Sequence, residues 1–111
     1  MSDKFTDDIA VATRYLRMSK KAKDRGIDFQ LSFSCLKRLL NTKRCYFTKE
    51  ELCHDDGAPN QLTIDRVDND LPYMDSNVVA CSARINSLKG KLTVSDISSI
   101  FKGLKRRGLV K

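Results

Sequence analysis

The stretch LTIDRVDNDLPYMDSNVVACSARINSLKG, Leu62 to Gly90, holds an acid, two amides and a lysine at spacings that local structure can gather. These are Asp65, Asn77, Asn86 and Lys89. A carboxylate and an amide carbonyl are hard oxygen donors. They suit Mg²⁺, which keeps several waters and takes phosphate oxygens as further ligands. A cation so held polarises a phosphodiester and stabilises its leaving oxygen. The competing reading is plain: Asp65 and Asn77 cap turns, and Asn86 sits on a helix surface. Composition alone favours that second reading.

The elements that must position these side chains are legible from patterning. QLTIDRV alternates, contains β-branched residues and reads as a strand. DNDLPYMDS is a long turn, NVVAC a second short strand, and SARINSLKGK a helix with Ala83, Ile85 and Leu88 available for packing. Asp65 then lies near the end of the first strand, Asn77 opens the second, and Asn86 and Lys89 ride on the helix. A strand end and a facing helix bring Asp65 and Asn86 toward one point.

Around this hairpin and helix the chain reads as mostly helical. Thr6 caps a first helix with Asp7 and Asp8 in its opening turn. Ile9, Ala12, Tyr15 and Leu16 supply its apolar face, and Gly26 ends it. IDFQLS, Ile27 to Ser32, is an extended link. Ser32 caps a second helix, Phe33 to Leu40, which buries Phe33, Leu36, Leu39 and Leu40. RCYFT, Arg44 to Thr48, is a short strand or turn, and 49–60, with Gly57 and Pro59, is a loop. A last helix runs from Ser95 to Arg106, capped by Ser95, with Ile97, Ile100, Phe101 and Leu104 as a core-facing stripe.

With 111 residues the chain is expected to form one domain with one modest core. Three regions make it up: a basic helical part (1–43), a strand–strand–helix centre (44–91) and a basic C-terminal helix and tail (92–111). No run approaches the ~20 apolar residues of a membrane span. The opening MSDKFTDDIA lacks a signal pattern, so the protein is expected inside a cell. Net charge is +7, which favours an anionic partner such as nucleic acid. The charge is segregated. Arg14 to Arg25 holds six basic residues against Asp24, and Lys102 to Lys111 holds five with no acid. Lys49 to Ser76 holds eight acids against two basic residues. Either the acids form a solvated loop, or carboxylates are gathered to hold a cation between phosphate-binding arms. Cys35, Cys45, Cys53 and Cys81 contain no C-x-x-C pair, which disfavours a structural zinc and points to reduced thiols.

The segments TIDRVDND and PYMDSNVVACSARINSLKG, with KRCYFTKEEL upstream, resemble the HNH family, the ββα-metal or His-Me finger nucleases. The likeness is to its small phage and homing-type members and covers roughly Arg17 to Gly90. It implies an α+β fold with a ββα-metal core, two short antiparallel strands plus a helix, flanked by N- and C-terminal helices. It implies Asp65 and Asn86 as metal ligands for Mg²⁺ or Mn²⁺. Asn77 would hold the loop and position the base, and Lys89 would meet phosphate or the local fold.

Two departures stand out. Arg66 occupies the place of the family's general-base histidine, and arginine stays protonated at neutral pH. Three explanations remain open. A base comes from elsewhere, with His54, the only histidine, or Asp68 as candidates; or Arg66 stabilises the phosphorane charge while water suffices; or the domain only binds. Many relatives also hold the hairpin with two C-x-x-C pairs. Here Cys45 keeps the first position, Thr48, Ser82 and Ile85 take the others, and Cys81 comes one place early. Packing by Tyr46, Phe47, Val79 and Leu88 must then replace zinc.

The resemblance thus implies a metal-dependent DNA endonuclease that nicks as a monomer or weak dimer. Lys20, Lys21, Lys23, Arg25, Lys105, Arg106 and Arg107 would grip the backbone together with Arg66 and Lys89. The alternative is a catalytically degenerate DNA-binding protein on the same scaffold. A chain of this length suggests limited sequence specificity unless the basic arms read a groove or a partner protein supplies recognition, and a phage-encoded member would act in an infected bacterium.

Overall fold

The computed structural model describes residues 7–111. It is an α+β fold with four helices and two small sheets. Helix α1 spans Asp8–Asp24, β1 Phe29–Gln30, α2 Phe33–Leu40, β2 Leu62–Arg66, β3 Tyr73–Met74, β4 Val78–Ser82, α3 Ala83–Lys89 and α4 Val94–Arg106. A 3₁₀ turn, Asp75–Asn77, enters β4.

The first helix is capped by Asp7, whose side chain accepts the Ile9 N–H. The Thr6 cap expected from sequence lies outside the described residues. The expected apolar face is corrected as well. Ile9 and Leu16 are exposed, while Val11 and Ala22 are buried and Ala10, Tyr15 and Met18 pack against the core. Two adjacent apolar stripes compete on this helix, and α2 selects the one containing Val11. The second helix keeps its Ser32 cap and buries Leu36, Leu39 and Leu40 as expected, but Cys35 is buried in place of Phe33, which at the first turn is 38 % exposed. The core combines those α2 residues with Val11, Leu31, Leu62, Ile64, Val78 and Ala80.

Strands β2 and β4 pair antiparallel, with Leu62 opposite Ser82, Asp65 opposite Val79 and Arg66 opposite Val78. Side chains alternate across such a pair. Leu62 and Ile64 join the core shared with α1 and α2. Asp65 turns the other way, toward α3, which packs on both strands. Ser82 ends β4 and caps α3 at once, accepting the Ile85 N–H at 3.2 Å. Gly90 stops α3 at φ +45°, a left-handed value that favours glycine.

The link expected at 27–32 contains more structure than its sequence suggests. Phe29 and Gln30 pair in parallel with Tyr73 and Met74 of the long turn. Asp75 clamps the same junction, accepting the Ser32 N–H at 2.8 Å and the Ser32 hydroxyl at 2.7 Å. Those bonds, that from the backbone first, hold the Asp75 carboxyl below its ordinary range.

The last helix departs from expectation. Thr93, not Ser95, caps it, in a reciprocal capping box with Asp96. None of its residues is buried, and Ile97, Ile100, Phe101 and Leu104 are exposed. The stripe read as core-facing therefore faces solvent, because the short linker after Gly90 carries the helix away from α1 and α2. No helix among the described residues is long and apolar enough to cross a membrane.

Candidate functional site

Asp65 is 8 % exposed at the end of β2, in the angle between the strand pair and α3. Lys89, also buried, reaches it from the last turn of α3. Lys89 Nζ stands 3.2 Å from Asp65 Oδ2 and donates a hydrogen bond to the Arg66 carbonyl at 3.0 Å. Oδ2 itself has no hydrogen-bond partner among the described residues. Lys89 thus meets Oδ2 at hydrogen-bonding distance without good alignment, and the Arg66 backbone also contributes to holding the carboxylate. Burial pushes the Asp65 carboxyl above its ordinary range, and the positive charges of Lys89 and Arg66 only partly offset this.

Asn86 lies three residues before Lys89, on the same side of α3. It is half-buried; its backbone carbonyl accepts the Gly90 N–H at 3.0 Å, while its side chain makes no hydrogen bond with the described residues. Asp65 and Asn86 thus come from the two elements the sequence nominated. No cluster of three or more His, Cys, Asp or Glu side chains occurs among the described residues. Two hard oxygen donors nevertheless suit a cation that draws its other ligands from water and phosphate.

Asn77 is buried and ties the 68–72 turn to the start of β4. Its Nδ2 donates to the carbonyls of Asp68 and Pro72 at 3.0 Å each and to Leu71 at 3.4 Å. Its Oδ1 accepts the Asp68 N–H at 3.0 Å. Asn77→Ala leaves these backbone groups without partners and is expected to cost about 1–3 kcal/mol. Urea unfolding measures that cost, and faster amide exchange at Asp68 locates it.

Arg66 and His54 stand apart from this arrangement. Arg66 follows Asp65 on β2 and so points to the opposite face. Its Nη1 donates to the carbonyls of Asn69 (2.8 Å) and Leu71 (3.0 Å), and its guanidinium lies 5.2 Å from the Tyr73 ring centre. The guanidinium braces the same turn that Asn77 holds. His54 lines a cleft with Thr13, Arg14, Arg17 and Leu62, on the α1 side. His54 and Asp56 of the 49–60 loop thus share that cleft with α1 residues. β2 ends at Arg66, so Asp68 does not continue its alternation; its Oδ1 accepts the Asp70 N–H at 2.9 Å.

The turn after Cys45 is held differently from the sequence expectation. Tyr46, Phe47 and Leu88 are exposed, whereas Cys45, Val79 and Cys81 are buried. The Tyr46 N–H donates to Ala80 (2.9 Å) and the Lys49 N–H to Cys45 (2.9 Å). Burial raises the Cys45 thiol, but hydrogen bonds from Thr48 and from the Thr48, Ser82 and Phe47 backbones outweigh it and leave it below its ordinary value. Burial pushes Cys81 up to about 11.

Of the cations nominated for phosphate binding, Lys20 pairs with Asp24 at 3.2 Å on the exposed side of α1. Lys21 and Arg25 line a cleft of about 480 Å³ with two residues not nominated, Arg14 and Arg17. Lys105 and Arg106 line a shallow hollow on α4 with Lys102. Arg14 and Arg17 were missed because charge was counted along the chain rather than around the helix. Their spacing to Lys21 and Arg25 was the available signal.

No protein-family model matches the chain. No solved structure matches it. Over 77 residues, 68 % of the chain, it is 30 % identical to the "Uncharacterized 29.0 kDa protein in dda-modA intergenic region" of Enterobacteria phage T4. The matched stretch spans only 30 % of that phage protein's length.

Proposed function

We propose that this chain is a metal-dependent DNA endonuclease whose β2–β4 pair and α3 form an HNH-like ββα centre. One observation carries the reading. A buried carboxylate at a strand end faces the helix bearing Asn86 and Lys89, and that helix follows directly on an antiparallel strand pair. Active sites are where such charges are held at a cost to folding. The phage origin of a relative agrees with a phage DNA-processing role.

Asp65 and Asn86 would hold the cation, Mg²⁺ or Mn²⁺. When bound, the cation would polarise the scissile phosphate and stabilise the leaving oxygen. Lys89 places a second positive charge beside the reacting phosphate and keeps the carboxylate oriented before substrate arrives. Asn77 and Arg66, from opposite sides, fix the turn that ends β2 and so fix Asp65. The attacking water loses its proton to solvent, because His54 and Arg66 lie on the other face. The nicking rate is therefore expected to rise with pH through the region where a histidine base would level off. Single-turnover rates from pH 5.5 to 8.5 test this, and a plateau centred near the ordinary histidine range of about 6.5 would restore a histidine base.

A second reading has a specific observation in its favour. With His54 beside α1 and Arg66 committed to the turn after β2, neither stands beside Asp65 as a base, and the chain would serve as a DNA-binding protein on the same scaffold. Supercoiled plasmid with Mg²⁺, Mn²⁺ or chelator separates the two. Metal-dependent nicking supports the nuclease, and binding without cleavage under all three conditions supports the binder.

A further inference from the structure

The α1 cleft has a chemistry the candidate site does not use. Arg14, Arg17, Lys21 and Arg25 recur at i, i+3, i+7 and i+11, which places them in one sector of about 80° on the helix. All four line the same cleft, with Ile64 and Tyr73 on its far wall. Asp24 is the sole acid there, and it is engaged by Lys20 at 3.2 Å. None of the four makes an ion pair or side-chain hydrogen bond with the described residues. Arg14 is half-buried, and burial first, then the charge of Arg17, pulls its guanidinium below its ordinary value. Four cations thus converge on one hollow whose single acid is Asp24, with Asp56 in the adjoining cleft that Arg14 and Arg17 also line, and this excess of positive charge is one that an entering anion stabilises.

The length of the stripe identifies the anion. From Arg14 to Arg25 the helix advances about 16 Å. A single phosphate spans too little of that distance, whereas a nucleic-acid strand repeats its phosphates along the chain and presents several over it. We infer that the cleft between α1 and the Ile64–Tyr73 wall is a binding track for the phosphodiester backbone of one nucleic-acid strand, with Arg14 and Arg17 at its centre. The inference rests on the nucleic-acid part of the proposed function and is independent of its catalytic part. Ile64 and Asp65 point to opposite faces of β2, so the track is a separate site that retains nucleic acid and does not touch the reacting phosphate.

The experiment is fluorescence anisotropy of labelled single- and double-stranded oligonucleotides at several salt concentrations. Wild type is compared with Arg14→Gln/Arg17→Gln and with Lys49→Gln/Lys111→Gln, which removes equal charge from exposed positions outside the cleft. The stripe pair is expected to weaken binding about tenfold or more and to reduce the salt slope by about two, while the control pair weakens it less than about threefold. Equal losses for the two pairs, or none for the stripe pair, overturn the track and leave the proposed function standing. Absence of nucleic-acid binding by wild type overturns both. If melting shows that the Arg14/Arg17 variant does not fold, Lys21→Gln/Arg25→Gln, exposed in the same cleft, carries the same expectation.

Discussion

Under the proposed function, Asp65→Ala is expected to abolish metal-dependent nicking of supercoiled plasmid, with a loss of at least about a hundredfold in rate. The estimate follows from the several kcal/mol that a correctly held cation contributes at a scissile phosphate, each 1.36 kcal/mol being tenfold. Asn86 alone cannot replace the charge of Asp65. Binding moves the other way: removing an acid beside phosphate leaves DNA affinity equal or higher, because a carboxylate repels phosphate unless a cation intervenes. The pairing of lost cleavage with retained binding identifies Asp65 as a ligand. Asp65→Asn preserves the shape and guards against misfolding as the cause. Nicking that persists undiminished in a folded Asp65→Ala protein would place the chemistry elsewhere.

The second large effect concerns stability. Lys89→Met removes the ammonium that stands 3.2 Å from Asp65 Oδ2 and leaves a buried acid facing an apolar side chain. Breaking a buried pair from one side costs about 3–5 kcal/mol. The variant is expected to unfold at correspondingly lower urea concentration at neutral pH. The sign with pH follows from the Asp65 shift. A carboxyl raised in the folded state binds its proton more readily folded than unfolded. Its contribution is therefore fully present below the ordinary value of 3.8 and is lost as pH rises through the higher folded value. Without Lys89 that folded value rises further, so the deficit of Lys89→Met shrinks toward pH 3.8 and grows above it. Asp65→Leu/Lys89→Met removes both charges and is expected within about 1 kcal/mol of wild type, or above it. Equal costs for Lys89→Met at pH 4 and pH 7 would mean that Lys89 acts through packing alone.

Much of the local structure was legible in the residues, because it depends on near neighbours. The Ser32 cap and α2, the alternation of Leu62–Arg66, the turn before Asn77 and the helix after Ser82 follow from capping, periodicity and breakers within a few positions. So does the placing of Asp65 on a strand and of Asn86 with Lys89 on one side of the next helix. The junction of β4 with α3 is also local, since Ser82 both ends β4 and caps α3, and β2 reaches α3 by pairing with β4.

What only the tertiary structure decided was which face meets which. On α1 two apolar stripes were available, and packing against α2 buried Val11 and left Ile9 and Leu16 outside. The same rotation turned Arg14 and Arg17 into a cleft, a relation invisible when charges are counted along the chain. The Phe29–Tyr73 pairing joins residues far apart in sequence, and no periodicity announces it. α4 has the stripe of a packed helix yet buries none of it, because amphipathicity specifies a face and not its partner. Arg66 could not be assigned from sequence, since its side of β2 follows from Leu62 and Ile64 facing the core. Its sequence neighbour Asp65 faces α3 for the same reason. Side-chain type and spacing determined the candidate donors; the handedness of a strand's alternation against a particular core decided which of them meet.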